Sequence, residues 1–244
     1  MDFSQLDQKP VGYNIINDPE ELAKVQDRYI QRLQEAGCLW YNPAPKKYCA
    51  LLVSGKVSNG FINFRQIYET GAGLDLLRDM CGVFFAIYGD MFRDESRRPF
   101  MDKVSGTAYG ALIPAFDLAS RFHVGYGWTD KIEDPETGRS KGQVCKTDVK
   151  GKRILLVEDV LTTGGSVLQS WEAIEAAGGT PLPYLVCLIN RSGKKDVGGI
   201  PVISLIEVFF DLYENNQDCP WIAQGAVPIK AKLEGNWEKL TTQK

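Results

Sequence analysis

RILLVEDVLTTGGSV, Arg153 to Val167, joins four consecutive apolar residues to two adjacent carboxylates. A loop of threonines, glycines and a serine follows, and then a helix-forming run. A short, wholly apolar strand is buried on both faces, as in parallel sheets. Ligands of such sheets sit beyond the carboxyl ends of the strands, near the point where the strand order reverses. RILLV is therefore predicted to end in a crevice and to deliver Glu158 and Asp159 into it. The glycines of LTTGGS permit positive φ and close backbone approach. Consecutive N–H groups and hydroxyls at the start of a helix, predicted near Ser166, can surround a phosphate. Carboxylates cannot bind that phosphate, but they suit the hydroxyls of a sugar attached to it, or a magnesium ion. One segment is thus predicted to hold a phosphorylated sugar at two ends. The run is not a Walker A loop, since no Gly-Lys-Ser/Thr ends it and acids precede it, and it is not GxGxxG. A strand ending in acidic turn residues before a Ser-capped helix would explain the acids alone but not the whole run.

Outward from this stretch, FMDKV, FHVGY, LPYLVCLI and IPVISL are further runs of strand length. ALIPAFDLASR and SVLQSWEAIEAAGG read as helices between them. That alternation predicts βαβ units and a doubly wound α/β core with a parallel sheet over residues 70–215. Upstream, DPEELAKVQDRYIQRLQEAG reads as a helix with Asp18 as N-cap, Pro19 at the first helical position and Gly37 past its end. The stretch after it mixes turn residues with short β-prone runs, so residues 1–69 are predicted to form a helix and a small hood. Residues 216–244 are predicted to be an irregular, peripheral tail.

Composition limits the chemistry. The 244 residues are 44% hydrophobic, enough for a sizeable core, and the net charge of -3 supplies no global basic field for nucleic acid or membrane. MDFSQLDQKP lacks a signal-peptide layout, and no apolar run approaches the ~20 residues needed to span a bilayer. The six cysteines, Cys38, Cys49, Cys81, Cys145, Cys187 and Cys219, form no CxxC pair, so reduced thiols in a cytoplasm are expected. His123 is the only histidine, which argues against His-based metal sites and Ser-His-Asp triads; it is placed at a strand start with a structural role.

LLVEDVLTTGGS closely resembles the phosphoribosyl pyrophosphate (PRPP) signature of type I phosphoribosyltransferases. Four other stretches resemble, in order, segments of the orotate-using branch of that family: SGKVSNGFINF, VSGTAYGALIPA, LINRSG and GIPVISLIEV. The resemblance implies Mg²⁺-dependent transfer of phosphoribose from PRPP to orotate, giving orotidine 5′-monophosphate and pyrophosphate. It implies that Glu158 and Asp159 bind the ribose hydroxyls, and that Thr162, Thr163, Gly164, Gly165 and Ser166 cradle the 5′-phosphate. Ser105, Gly106 and Thr107 match the start of the pyrophosphate loop, which runs to Gly110. Arg191 matches the residue that meets orotate, Thr162 also touches the base in the family, and Phe61 matches an aromatic over it. An aromatic at Phe61 could equally be a core residue, and Lys56, a phosphate-contact match, could equally be surface. No residue is assigned to a metal; Mg²⁺ is expected on the pyrophosphate. The resemblance implies a homodimer acting on the small molecules PRPP and orotate, while the net charge argues against a nucleic-acid or membrane partner.

The chain departs from many relatives in its flap. Instead of an Arg-Lys-x-x-Lys-x-His-Gly loop it has YGWTDKIEDPETGRSKGQVC, where Lys131, Arg139 and Lys141 are the available cations. Lys131 is taken as the catalytic one. A hood lysine common in relatives is Val53 here. Two other readings stay open: a phosphoribosyltransferase for another base, and a non-catalytic PRPP-sensing regulator, which would call for a basic face or a helix-turn-helix.

Overall fold

The computed structural model describes residues 19–243 except 46, 53, 134–139 and 215–217. Chain order begins with α1 (Pro19–Glu35), β1 (Leu39–Tyr41), β2 (Tyr48–Leu51), β3 (Val57–Ser58), β4 (Gly60–Ile62) and α2 (Gly71–Tyr88). Next come β5 (Lys103–Thr107), α3 (Leu112–Phe122), β6 (Gly125–Glu133), β7 (Ser140–Cys145), β8 (Arg153–Leu161), α4 (Gly165–Ala176) and β9 (Thr180–Asn190). The last are β10 (Asp196–Val197), β11 (Ile200–Glu207), β12 (Leu212–Tyr213), α5 (Pro220–Ala223), β13 (Val227–Ile229) and α6 (Asn236–Thr242). Leu77–Glu207, with the described residues up to Gln26, forms one unit; Asp27–Leu76 and the chain from Val208 onward form a second.

In the first unit seven strands lie in the order β10-β11-β9-β8-β5-β6-β7. The five central strands are parallel, and β10 and β7 add antiparallel edges. The connection from β5 through α3 leads to β6, whereas that from β8 through α4 leads the other way, to β9. Right-handed crossovers running in opposite directions put the two helices on opposite faces. Both faces of the sheet are therefore covered, and this is why β8 reads as an unbroken apolar run. Ile154, Leu156, Val167, Ile174 and Leu185 pack together on one side. On the other, the rings of Phe85 and Phe122 meet edge to face at 4.9 Å. The order reverses between β5 and β8, which locates the crevice.

Two boundaries differ from expectation. The first core strand starts at Lys103, not Phe100, because Asp102 is engaged with the start of β8: its N–H donates to Arg153 O, and its carboxylate takes the Arg153 N–H and guanidinium. His123 is not a strand residue. It closes α3 in the left-handed conformation (φ 56, ψ 43), with its N–H on Ser120 O, and the strand waits until Gly125.

The second unit contains the β1–β4 pair and a four-stranded sheet ordered β12-β3-β2-β13. Its last two elements replace the expected tail. β13 runs parallel to β2, and α6 buries Leu240 completely. Gln243 bridges the Tyr48 backbone in both directions, at 2.8 and 3.0 Å, and the Trp237 indole donates to Gly37 O at 3.0 Å. The Asp18 cap lies outside the described residues, while Gly37 is left-handed (φ 66), as expected past a helix end.

Candidate active site

The last β5–β8 pair is Gly106 with Val157, yet β8 continues to Leu161 against β9. The acids are thus the first β8 residues free of β5, but they stand within the strand and not after it. Successive strand residues point to opposite faces. Asp159 is half-buried and faces Gly110, so closely that a Cβ at Gly110 would collide with its carboxylate. Glu158 is 7% exposed, with Oε1 accepting the Asp159 N–H at 3.2 Å. Burial, and after it the neighbouring Asp159 charge, pushes the Glu158 carboxyl well above the usual carboxylate range. The pair is therefore unequal, one acid facing the crevice and one beneath it.

Downstream, Thr162 and Thr163 are exposed and α4 begins at Gly165, one residue before the expected Ser166. Gly164 is left-handed (φ 90), and any side chain there would strike Val197. The first N–H groups of α4 have no partner within their own helix and carry its positive dipole end. Hydroxyls and glycine amides at this place suit an anion.

Ser105, Gly106 and Thr107, expected in an anion-binding loop, are buried residues of β5. The Thr107 hydroxyl donates to Val157 O at 3.3 Å, and a Cβ at Gly106 would lie 2.7 Å from Ala111 O. The turn itself is Ala108–Ala111. Ala108 holds φ 56, ψ -165, a region normally kept by glycine. A strained backbone at the mouth of the crevice carries no signature in the sequence.

Arg191 follows β9, half-buried, with its N–H on Leu161 O at 3.0 Å, so it stands beside Thr162. Burial pulls its guanidinium below the usual arginine value. The Asn190 amide, the Ser192 hydroxyl and the Lys194 backbone form a closed turn around it. Lys194 Nζ reaches Thr163 O at 3.1 Å, a cation at the head of α4 that nothing in NRSGKK singled out.

Lys131 and Lys141 lie exposed on β6 and β7; Arg139 and Val53 fall outside the described residues. Phe61 and Lys56 belong to the second unit. Phe61 is 9% exposed in an apolar cluster with Trp40 and Leu240, its ring 6.0 Å from that of Trp237. Lys56 pairs with Glu214 at 2.6 Å. Among the described residues no group of three or more His, Cys, Asp or Glu could hold a metal. Asp159, facing the crevice, offers a hard carboxylate oxygen, which fits a Mg²⁺ bound chiefly through substrate oxygens.

A sheet reversal with paired acids, leading into a glycine-opened helix, is the frame of an enzyme that handles a phosphorylated sugar. The chain belongs to the phosphoribosyl transferase domain family, whose model matches residues 95–223. It is 32% identical to an orotate phosphoribosyltransferase of Wolinella succinogenes, over 76% of this chain and 90% of that one. The corresponding Bartonella tribocorum protein is 33% identical over 64% of this chain and 74% of its own. The crystal structure of orotate phosphoribosyltransferase from Aeropyrum pernix shares the fold: TM-score 0.56 and 22% identity, covering 73% of this chain and 93% of that one.

Proposed function

We propose that this protein transfers phosphoribose from PRPP to orotate, releasing pyrophosphate and forming orotidine 5′-monophosphate. The carrying observation is that Asp159, the α4 N-terminus and Arg191 all lie toward the carboxyl ends of β8 and β9, next to the sheet reversal, together with similarity to orotate phosphoribosyltransferases along most of the chain. The 5′-phosphate takes the amides and hydroxyls of Thr162–Ser166. Asp159 accepts from the ribose hydroxyls and favours the positive charge that develops on the ribose as the C1–pyrophosphate bond breaks. Glu158, protonated more readily than an ordinary carboxylic acid, supports Asp159 from below. Pyrophosphate lies against the amides of Ala108–Gly110, with Lys131 as the flap cation. Asp159 would offer a protein oxygen to a Mg²⁺ bound mainly with the substrate, and the ion would supply positive charge toward the leaving pyrophosphate. The planar donors of Arg191 suit the carboxylate and carbonyls of orotate. Phe61 is left out of the base site because neighbouring apolar side chains cover it.

A homodimer is proposed as well. Tyr109, Ile113 and Phe116 are exposed by 72%, 39% and 58% on and just before α3, an apolar stripe of the kind that marks an interface. No described helix is long and apolar enough to cross a membrane; a reducing cytoplasm is the proposed compartment, given six free cysteines. Incubation with PRPP, Mg²⁺ and orotate should consume orotate's ultraviolet absorbance. Turnover with a purine or uracil but not orotate would reassign the acceptor.

A further inference from the structure

We infer that Gln143 is a positioning residue that couples the β6–β7 strand pair to the phosphate-binding turn of α4. The inference rests on the phosphate reading given above.

The geometry is a buried polar junction of three side chains from three elements. Gln143 of β7 is 7% exposed, and Thr129 of β6 and Ser170 of α4 are fully buried. The Gln143 carboxamide oxygen accepts from Thr129 Oγ1 at 2.5 Å and from Ser170 Oγ at 2.7 Å. Its amide nitrogen donates to Ser166 O at 3.0 Å. Reversing the amide would set two oxygens together at Ser166, so the orientation is determined by the partners. Ser170 Oγ also lies 2.9 Å from Ser166 O, and Thr129 Oγ1 lies 3.4 Å from Gly106 O in β5. One carboxamide thus joins β6, β7 and α4, and the Thr129 hydroxyl lies within reach of the β5 backbone as well.

Buried polar groups are costly unless satisfied, and a junction of this kind fixes a single arrangement of what it joins. It joins functional pieces. Ser166 lies in the first turn of α4, where the proposed 5′-phosphate sits, and Gly106 precedes the strained Ala108 turn. Lys131, the proposed flap cation, is directly opposite Gln143 in the β6–β7 register. Cross-strand partners share a face, so Lys131 projects from the side of the hairpin that carries the junction. Phosphate ordering the first turn of α4 is therefore felt at β7 through Ser166 and Gln143. A general structural role would not require that transmission.

The test is hydrogen exchange on the full chain with and without saturating ribose 5-phosphate, in wild type and in Gln143→Met, which keeps the length and removes the polar atoms. In wild type the ligand slows exchange both in the first turn of α4 and in residues 140–145. In Gln143→Met the α4 protection persists and the β7 protection is lost. The KM for PRPP then rises about tenfold, the factor equivalent to about 1.4 kcal/mol, while that for orotate stays within about twofold. Should Gln143→Met fail to fold, Ser170→Ala and Thr129→Val each cut one arm and lose part of the β7 response. Wild type protected at α4 but not at β7, or a variant protected at both, overturns the coupling alone. Wild type protected at neither means that no phosphate binds, and the underlying site assignment falls together with the inference.

Discussion

Replacing Glu158 by Gln should stabilise the protein, and increasingly so as pH rises. Glu158 is 7% exposed, accepts a 3.2 Å bond from the Asp159 N–H and lies beside the Asp159 carboxylate, so its ionised form is poorly compensated. Burial first, and the Asp159 charge second, raise its folded pKa above the unfolded value. The folded state therefore holds the proton over a pH range in which the unfolded state has lost it. Its stabilising contribution is complete below the unfolded carboxyl pKa and fades as pH climbs to the folded one. Within that window wild type loses about 1.4 kcal/mol of stability per pH unit from this group. Glutamine has no proton to lose, so its advantage grows with pH and levels off above the folded pKa. A gain of about 1–3 kcal/mol is expected at neutral pH, the usual penalty for an imperfectly satisfied buried polar group. Urea unfolding of both proteins from pH 5 to pH 8 reads the difference. A pH-independent difference, or a wild type that gains on the variant as pH rises, would refute the claim that the carboxyl is destabilised by its surroundings.

Ala108→Gly should relieve backbone strain worth about 1–3 kcal/mol, partly offset by the entropy of a freer unfolded chain. A net gain of about 1 kcal/mol, or roughly 2–4 °C in Tm, is expected by calorimetry. Gly110→Ala should displace the Asp159 carboxylate and lower kcat/KM by about tenfold or more, with little loss of secondary structure by circular dichroism. Gly164→Ala combines φ 90 with a clash against Val197. It should cost about 1–3 kcal/mol in denaturant titrations and weaken ribose 5-phosphate binding in calorimetry. Burial pushes the Cys38 thiol to about 11 and Cys49 to about 12, and also raises Cys81, Cys145 and Cys187. A thiol reagent at pH 8 should label the native chain slowly, starting with the half-buried Cys145, and all six cysteines once it is unfolded.

Much of the core was legible because its signals are local. An apolar strand, two acids, a glycine-opened helix and the alternation of strands with helices lie in contiguous sequence. Together they specify a covered parallel sheet and the chemistry at its reversal point. Arg191 was named from its place after a core strand and from the family resemblance; its half-burial beside Leu161 comes from the β8–β9 pairing. Other features depend on which backbones meet. Asp159 and Glu158 look equivalent in the chain, and only the pleat and the Ala108–Ala111 turn make one face the crevice and bury the other. Ser105–Thr107 reads as a loop of small residues, yet pairing with β6 and β8 makes it strand. Residues 227–243 have too little periodicity to announce a structural role, and their partners near Tyr48 are almost two hundred positions away. Gln143 is a single polar residue in a polar run until β6, β7 and α4 close around it. Short-range patterning thus decided the architecture and the kind of ligand. Burial and long-range pairing, which depend on surfaces brought together only by folding, decided which side chains are available to act.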